Sequence, residues 1–175
     1  MGVLKRQPGR VKASPADIAS YIYIASRDTF NVLSKPVPST TPGDEATIAA
    51  DHTFVTATPA NGFIKIPCTG NKNGKFSVKT EGEFPAQKVV SSFEGNAVGL
   101  SAEQIEIMQR LMGIPVIVLI SSAKCENPTV YQIGCDCNSI NGLMFEFDTD
   151  SNVWKISGSS NCFPAVYTGA ITLMG

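Results

Sequence analysis

Short stretches of alternating apolar and polar residues dominate the chain, cut apart by 15 glycines and 11 prolines. The run Tyr21-Ile22-Tyr23-Ile24-Ala25, aromatic and β-branched, predicts a strand. Residues 54–57 and 62–66 predict a hairpin turning through Pro59-Ala60-Asn61. Phe76, Val78 and Thr80 alternate with Ser77, Lys79 and Glu81, the period-two pattern of a half-buried strand. A return strand over 88–94 follows the turn at Phe84-Pro85, with Phe93 and either Val89 or Val90 on its apolar face. Further strands are predicted over 116–120, 130–136, 143–147, 153–157 and 165–173. Several short strands at regular spacing imply a sandwich or barrel.

One segment has the helical period instead. Ser101 with Gln104 three residues on forms a capping box, and Leu100 is placed to staple onto Ile105. Ile105, Met108, Leu111 and Met112 make an apolar stripe, Gly113 is a helix stop, and Pro115 follows. The expected fold is therefore mainly β: two packed antiparallel sheets, sandwich- or barrel-like, with one flanking α-helix over about 101–112. Two stretches fit neither period. Residues 1–16 lack hydrophobic periodicity, and 34–52 are too long and proline-rich for a hairpin turn. The chain thus reads as a single domain over 1–175 with an N-terminal arm (1–16) and a long loop (34–52), which is either a mobile surface loop or an arm that orders only against another subunit.

Composition narrows the class. Among 175 residues, 43% are hydrophobic and 17% charged, which excludes a disordered chain. The longest apolar run, 114–120, is far short of the roughly 20 residues that cross a bilayer, so a soluble protein without a membrane partner is expected. No apolar stretch of signal-peptide length follows the basic terminus, and secretion is not expected. Five cysteines, an odd number, then point to free thiols in a reducing compartment. Charge is unevenly placed. Lys5, Arg6, Arg10 and Lys12 lie in an acid-free terminus, leaving 10 bases against 15 acids in the body. An acidic body argues against general nucleic-acid binding by that body.

Candidate chemistry is sparse. His52 is the single histidine, and no nucleophile elbow accompanies it. Cys135-Asp136-Cys137 puts two thiols on one face of the predicted strand, with Cys125 and Cys162 elsewhere, but zinc-knuckle spacing is lacking and structural thiols are expected. Asp148-Thr149-Asp150-Ser151-Asn152 begins like a calcium loop and fails at Val153 and Ser159, where glycine and glutamate are required. It reads as a polar hairpin turn. Gly70, Gly74 and Lys75 miss the phosphate-loop spacing.

The order of the parts is the remaining signal. A basic arm and a Pro/Thr-rich loop precede Gly74-Lys75-Phe76-Ser77-Val78-Lys79-Thr80-Glu81-Gly82-Glu83 and its return strand. The helix leads into Ile114-Pro115-Val116-Ile117-Val118-Leu119-Ile120, then Tyr131-Gln132-Ile133-Gly134, and finally 164–173. Over nearly its whole length this arrangement resembles the tail tube (major tail) proteins of bacteriophages, particularly the short versions from phages of Bacteroides-like hosts. The resemblance implies two sheets flanked by a helix, and subunits that form rings, usually of six. Such rings stack into a hollow tube through which DNA leaves the capsid, and arms and long loops join one ring to the next. It implies no catalytic, cofactor-binding or metal residue and no cofactor. The implied partners are other copies of the chain, tail and connector proteins, and DNA in non-specific transit. The implied place is the virion, assembled in the host bacterial cytoplasm.

In that setting Ser77, Lys79, Glu81 and Glu83 are the candidate channel-facing residues, a mixture with excess acid that lets phosphate slide. Lys5, Arg6, Arg10 and Lys12 are the candidate inter-ring arm. Two other classes stand beside this one. A head–tail connector or short-tail ring protein shares the β-rich build, and a small enzyme or metal protein would rest on Cys135, Cys137 and His52.

Overall fold

The computed structural model describes residues 18–68, 74–122 and 128–175. In chain order the elements are β1 (Ile18–Ser26), β2 (Phe30–Val32), β3 (Thr47–Ile48), β4 (Thr53–Phe54), β5 (Ile64–Pro67), β6 (Gly74–Glu81) and β7 (Lys88–Val98). After these come α1 (Ala102–Leu111), β8 (Pro115–Ser122), β9 (Val130–Ile133), β10 (Ile140–Asn141), β11 (Met144–Asp148), β12 (Val153–Ser160) and β13 (Ala165–Tyr167). The protein is mainly β, with two large packed sheets, a two-stranded sheet of β2 and β4, and one flanking helix.

The larger sheet has seven strands in the order β3-β13-β9-β8-β1-β5, with β10 also paired to β8. The smaller has four, ordered β11-β12-β7-β6 and antiparallel throughout. Strand β8 lies at the centre, and Val116 to Ile120 are all fully buried, which is why its sequence is continuously apolar and does not alternate. Its even-numbered residues Val116, Val118 and Ile120 face the small sheet, meeting Phe93, Trp154 and Ile156 in the inter-sheet core. Its odd-numbered residues Ile117 and Leu119 face the opposite way, onto a second core with Phe30, Ile48, Phe63 and Tyr167. The sheets come close together at Gly95, where a Cβ would collide with Ile22 Cδ1 of β1.

That second core corrects the reading of 34–52 as a segment that orders only against another subunit. Its middle is exposed, but both ends pack on this chain: Ser34 is buried, β3 pairs in parallel with β13, and Ile48 and His52 are 1% and 3% exposed. The physical reason is the two-sided large sheet, whose outer face needs an apolar cover, and 30–63 supplies it. The expected hairpin over 54–66 is also corrected. Strand β4 pairs with β2, and β5 pairs with the edge of β1. Phe54 is drawn into an aromatic cluster, with ring centres 4.6 Å from Phe30 and 5.4 Å from Phe63, and these contacts outweigh local turn signals.

Strand ends and the buried face of the helix differ as well. Strand β9 stops at Ile133 because Gly134, at φ 91°, turns the chain away. The last strand ends at Tyr167, and 172–174 return instead alongside Phe63, whose N–H donates to the Thr172 carbonyl at 2.8 Å. Helix α1 has its capping box: the Gln104 N–H donates to Ser101 Oγ at 3.2 Å, and the Ser101 N–H donates to Gln104 Oε1 at 2.7 Å. Its buried face, however, runs through Ile107 and Leu111, while Ile105 and Met112 stay exposed. A helix packed against one sheet margin needs only a narrow apolar stripe, so part of the apolar set is left outside.

Candidate functional site

The hairpin of β6 and β7 places Ser77, Lys79 and Glu81 on the outer face of the small sheet, away from the core. Their cross-strand partners are Ser92, Val90 and Lys88. The face continues through Glu94 to Ser157 and Lys155 of β12, and on to Met144 and Glu146 of β11. The side chains form a polar ladder. Ser77 and Ser92 share a hydrogen bond of 2.8 Å, and Lys79 pairs with Glu81 at 2.7 Å. Lys155 sits between Glu94 and Glu146 at 3.8 Å from each. The hydrogen bond and charge of Lys79 hold the Glu81 carboxyl below the ordinary carboxylate range. Glu83 lies off this face, in the 82–87 turn, where its carbonyl accepts the Ala86 N–H at 2.7 Å. Lys75, Lys79, Lys88 and Lys155 face Glu81, Glu94 and Glu146, so the whole face is mixed in sign.

On the other side of the molecule His52 is built into the covering layer. The Ser34 N–H donates to its Nδ1 at 3.0 Å, which leaves the proton on Nε2, and Nε2 donates to Gln132 Oε1 at 2.7 Å. Gln132 in turn donates from Nε2 to the Gly134 carbonyl at 3.1 Å. The imidazole stacks on Tyr167 with ring centres 4.6 Å apart. Burial lowers its pKa, opposed in part by the Gln132 hydrogen bond and the Asp51 charge. With both ring nitrogens engaged, this side chain clamps the segment 34–52 to β9 and β13.

Ser34 and Gln132 also form the back of a cleft of about 500 Å³ between the covering segment and the end of β9. Its walls are mainly apolar, with Leu33, Ile48, Pro164 and Ala165, and the thiols of Cys135 and Cys162 open into it. At the rim Asp136 accepts hydrogen bonds from Arg27 and, at 3.0 Å, from Lys35. These cations, Arg27 first, hold its carboxyl below the usual range. The clasp joins residues more than 100 positions apart, so no local pattern in the sequence could announce it.

The thiols are arranged differently from the sequence reading. Cys135 and Cys137 do not share a strand face, because the chain leaves β9 at Gly134 and closes a tight turn from Cys135 to Asn138. Cys137 is exposed, Cys135 and Cys162 are half-buried, and the true core thiol is Cys68, whose pKa burial pushes up to about 11. Among the described residues no three His, Cys, Asp or Glu side chains converge as metal ligands. The stretch Asp148 to Asn152 is a hairpin turn in which Asp148 accepts from the Asp150 N–H and the Ser151 hydroxyl. Lys5, Arg6, Arg10, Lys12 and Cys125, with Gly70 of the segment 69–73, lie outside the described residues. Among the described residues no helix is long and apolar enough to cross a membrane. No family model matches the chain, and no curated protein or solved structure shows a match to it.

Proposed function

We propose that the protein is a structural subunit of a bacteriophage tail tube, assembling with copies of itself into rings that stack around a DNA conduit. The observation that carries the reading is the small sheet. One face packs on the core, the other is the polar ladder, and among the described residues no strand pairs with the outer edge of β6 or β11. Free backbone N–H and C=O groups along such edges invite another strand. Joining β6 of one copy to β11 of the next would continue the sheet around a ring, closing edges as a barrel does. The ladder then becomes one continuous surface, on which interspersed lysines and glutamates neither trap phosphate nor strongly repel it. The exposed middle of 34–52 and the basic residues Lys5, Arg6, Arg10 and Lys12 would supply contacts between rings.

Negative-stain microscopy of concentrated purified protein tests the reading, with hollow tubes as the expected result. A monomer at every concentration by light scattering, with virion partners added as well, would overturn it. Closed single rings that never stack would favour a head–tail connector.

A further inference from the structure

We infer that Cys135 and Cys162 are an oxidisable dithiol, which a hydroperoxide converts to a disulfide tying the turn after β9 to the connection between β12 and β13. The placement is tertiary. Gly134 turns Cys135 off the strand and into the cleft, where Cys162 also opens. The two segments are held against each other and against β7. The Ser160 hydroxyl donates to the Asn138 carbonyl at 2.5 Å, and the Ser91 hydroxyl donates to the Cys162 carbonyl at 2.6 Å. The turn itself is closed by reciprocal bonds of 3.2 Å between Cys135 and Asn138. Within this frame Cys135 and Cys162 line the same cleft, the Cys162 Sγ donates to the Phe163 carbonyl at 3.4 Å, and Cys135 is among the neighbours that perturb the Cys162 thiol. Two thiols brought to one cleft by segments tied together in this way can meet as a disulfide, at ~2 Å, once their side chains turn toward each other.

Among the described cysteines, the environment separates this pair from Cys68 and Cys137. Cys68 is sealed in the core, whereas Cys135 and Cys162 are half-buried in an open cleft that a small peroxide can enter. Cys137, on the same turn, is exposed, and it makes no third ligand with them. Cys162 holds its proton tightly: burial first, then Cys135, pushes its pKa up to about 12. With the Cys162 thiol also donating to the Phe163 carbonyl at 3.4 Å, Cys135 is assigned as the first nucleophile. Its sulfur attacks one peroxide oxygen, the O–O bond breaks, and the products are a sulfenic acid at Cys135 and water or alcohol. Cys162 then attacks the Cys135 sulfur. The S–O bond breaks, and the departing hydroxide takes the Cys162 proton and leaves as water. Two thiols lose two electrons and the hydroperoxide gains them, so the step balances.

The pair is independent of assembly and is testable on the full chain as monomer or oligomer. Treatment with hydrogen peroxide should lower the intact mass by two hydrogen atoms. A non-reducing peptide map should join Cys135 to Cys162, and dithiothreitol should restore the original mass. Cys162→Ser should instead stop at a Cys135 sulfenic acid, trapped by dimedone. Cys137→Ser, which alters an exposed side chain, should form the same bridge as the parent. A map joining Cys162 to Cys137 or Cys125, or wild-type protein in which Cys135 and Cys162 both still alkylate fully after peroxide, would overturn the assignment. The wild-type map decides the matter even if the serine variants fail to fold.

Discussion

His52 shows how a single side chain can hold a whole layer in place, and its protonation gives the layer a pH dependence. The unfolded chain titrates near the ordinary imidazole value of 6.5, while burial keeps the folded value below it. Between those two values the unfolded state binds more protons, so stability rises with pH there. The contribution is complete above about pH 6.5 and is lost as pH falls through the folded value. Structurally, a proton on Nδ1 would meet the Ser34 N–H donor head-on. Denaturant midpoints measured between pH 7 and 5 should therefore fall on acidification, and the slope should shrink in His52→Leu. That variant also leaves the Ser34 N–H and Gln132 Oε1 without their partner, at a cost of about 2–4 kcal/mol at pH 7. Unchanged stability would mean that His52 does not clamp the layer.

At the scale of elements, the segment 34–52 divides into parts with opposite tolerance. Ile48 fills the second core beside Phe30 and Tyr167, so Ile48→Ala should cost about 2–4 kcal/mol by loss of burial and a residual cavity. Removing 38–42, which lie in the exposed middle, should shift stability by less than about 1 kcal/mol, because loop closure depends weakly on length. Thermal melts of the two variants separate the parts, and equal losses would contradict the division. The inter-ring reading adds that the shortened loop impairs stacking while the fold persists.

For the whole molecule the question is which surface looks inward. If the outer face of the small sheet lines the channel, a cysteine in Glu81→Cys should react readily with a bulky maleimide in free subunits and poorly in closed tubes. Equal labelling in both states would place the channel elsewhere. The face offers both signs of charge in close register, with Lys155 between Glu94 and Glu146, so deleting one charge leaves its partner uncompensated on the surface of every copy.

The sequence by itself determined what depends on near neighbours. Alternation over 76–81 marks a half-buried strand, Ser101 and Gln104 start a helix, and Asp148 to Asn152 make a turn, because periodicity and capping act within a few residues. It also announced β8, since a strand covered on both faces must be apolar throughout. Partnership was decided only in three dimensions. Local pattern says that Phe54 and Ile66 belong to strands, yet the aromatic cluster around Phe30 and Phe63 and the open edge of β1 separate them into different sheets. In the same way His52 finds Gln132 across 80 residues, Arg27 finds Asp136 across 109, and Cys135 comes to line one cleft with Cys162. Such contacts follow from stacking one layer on another, a distance in space that no spacing along the chain encodes.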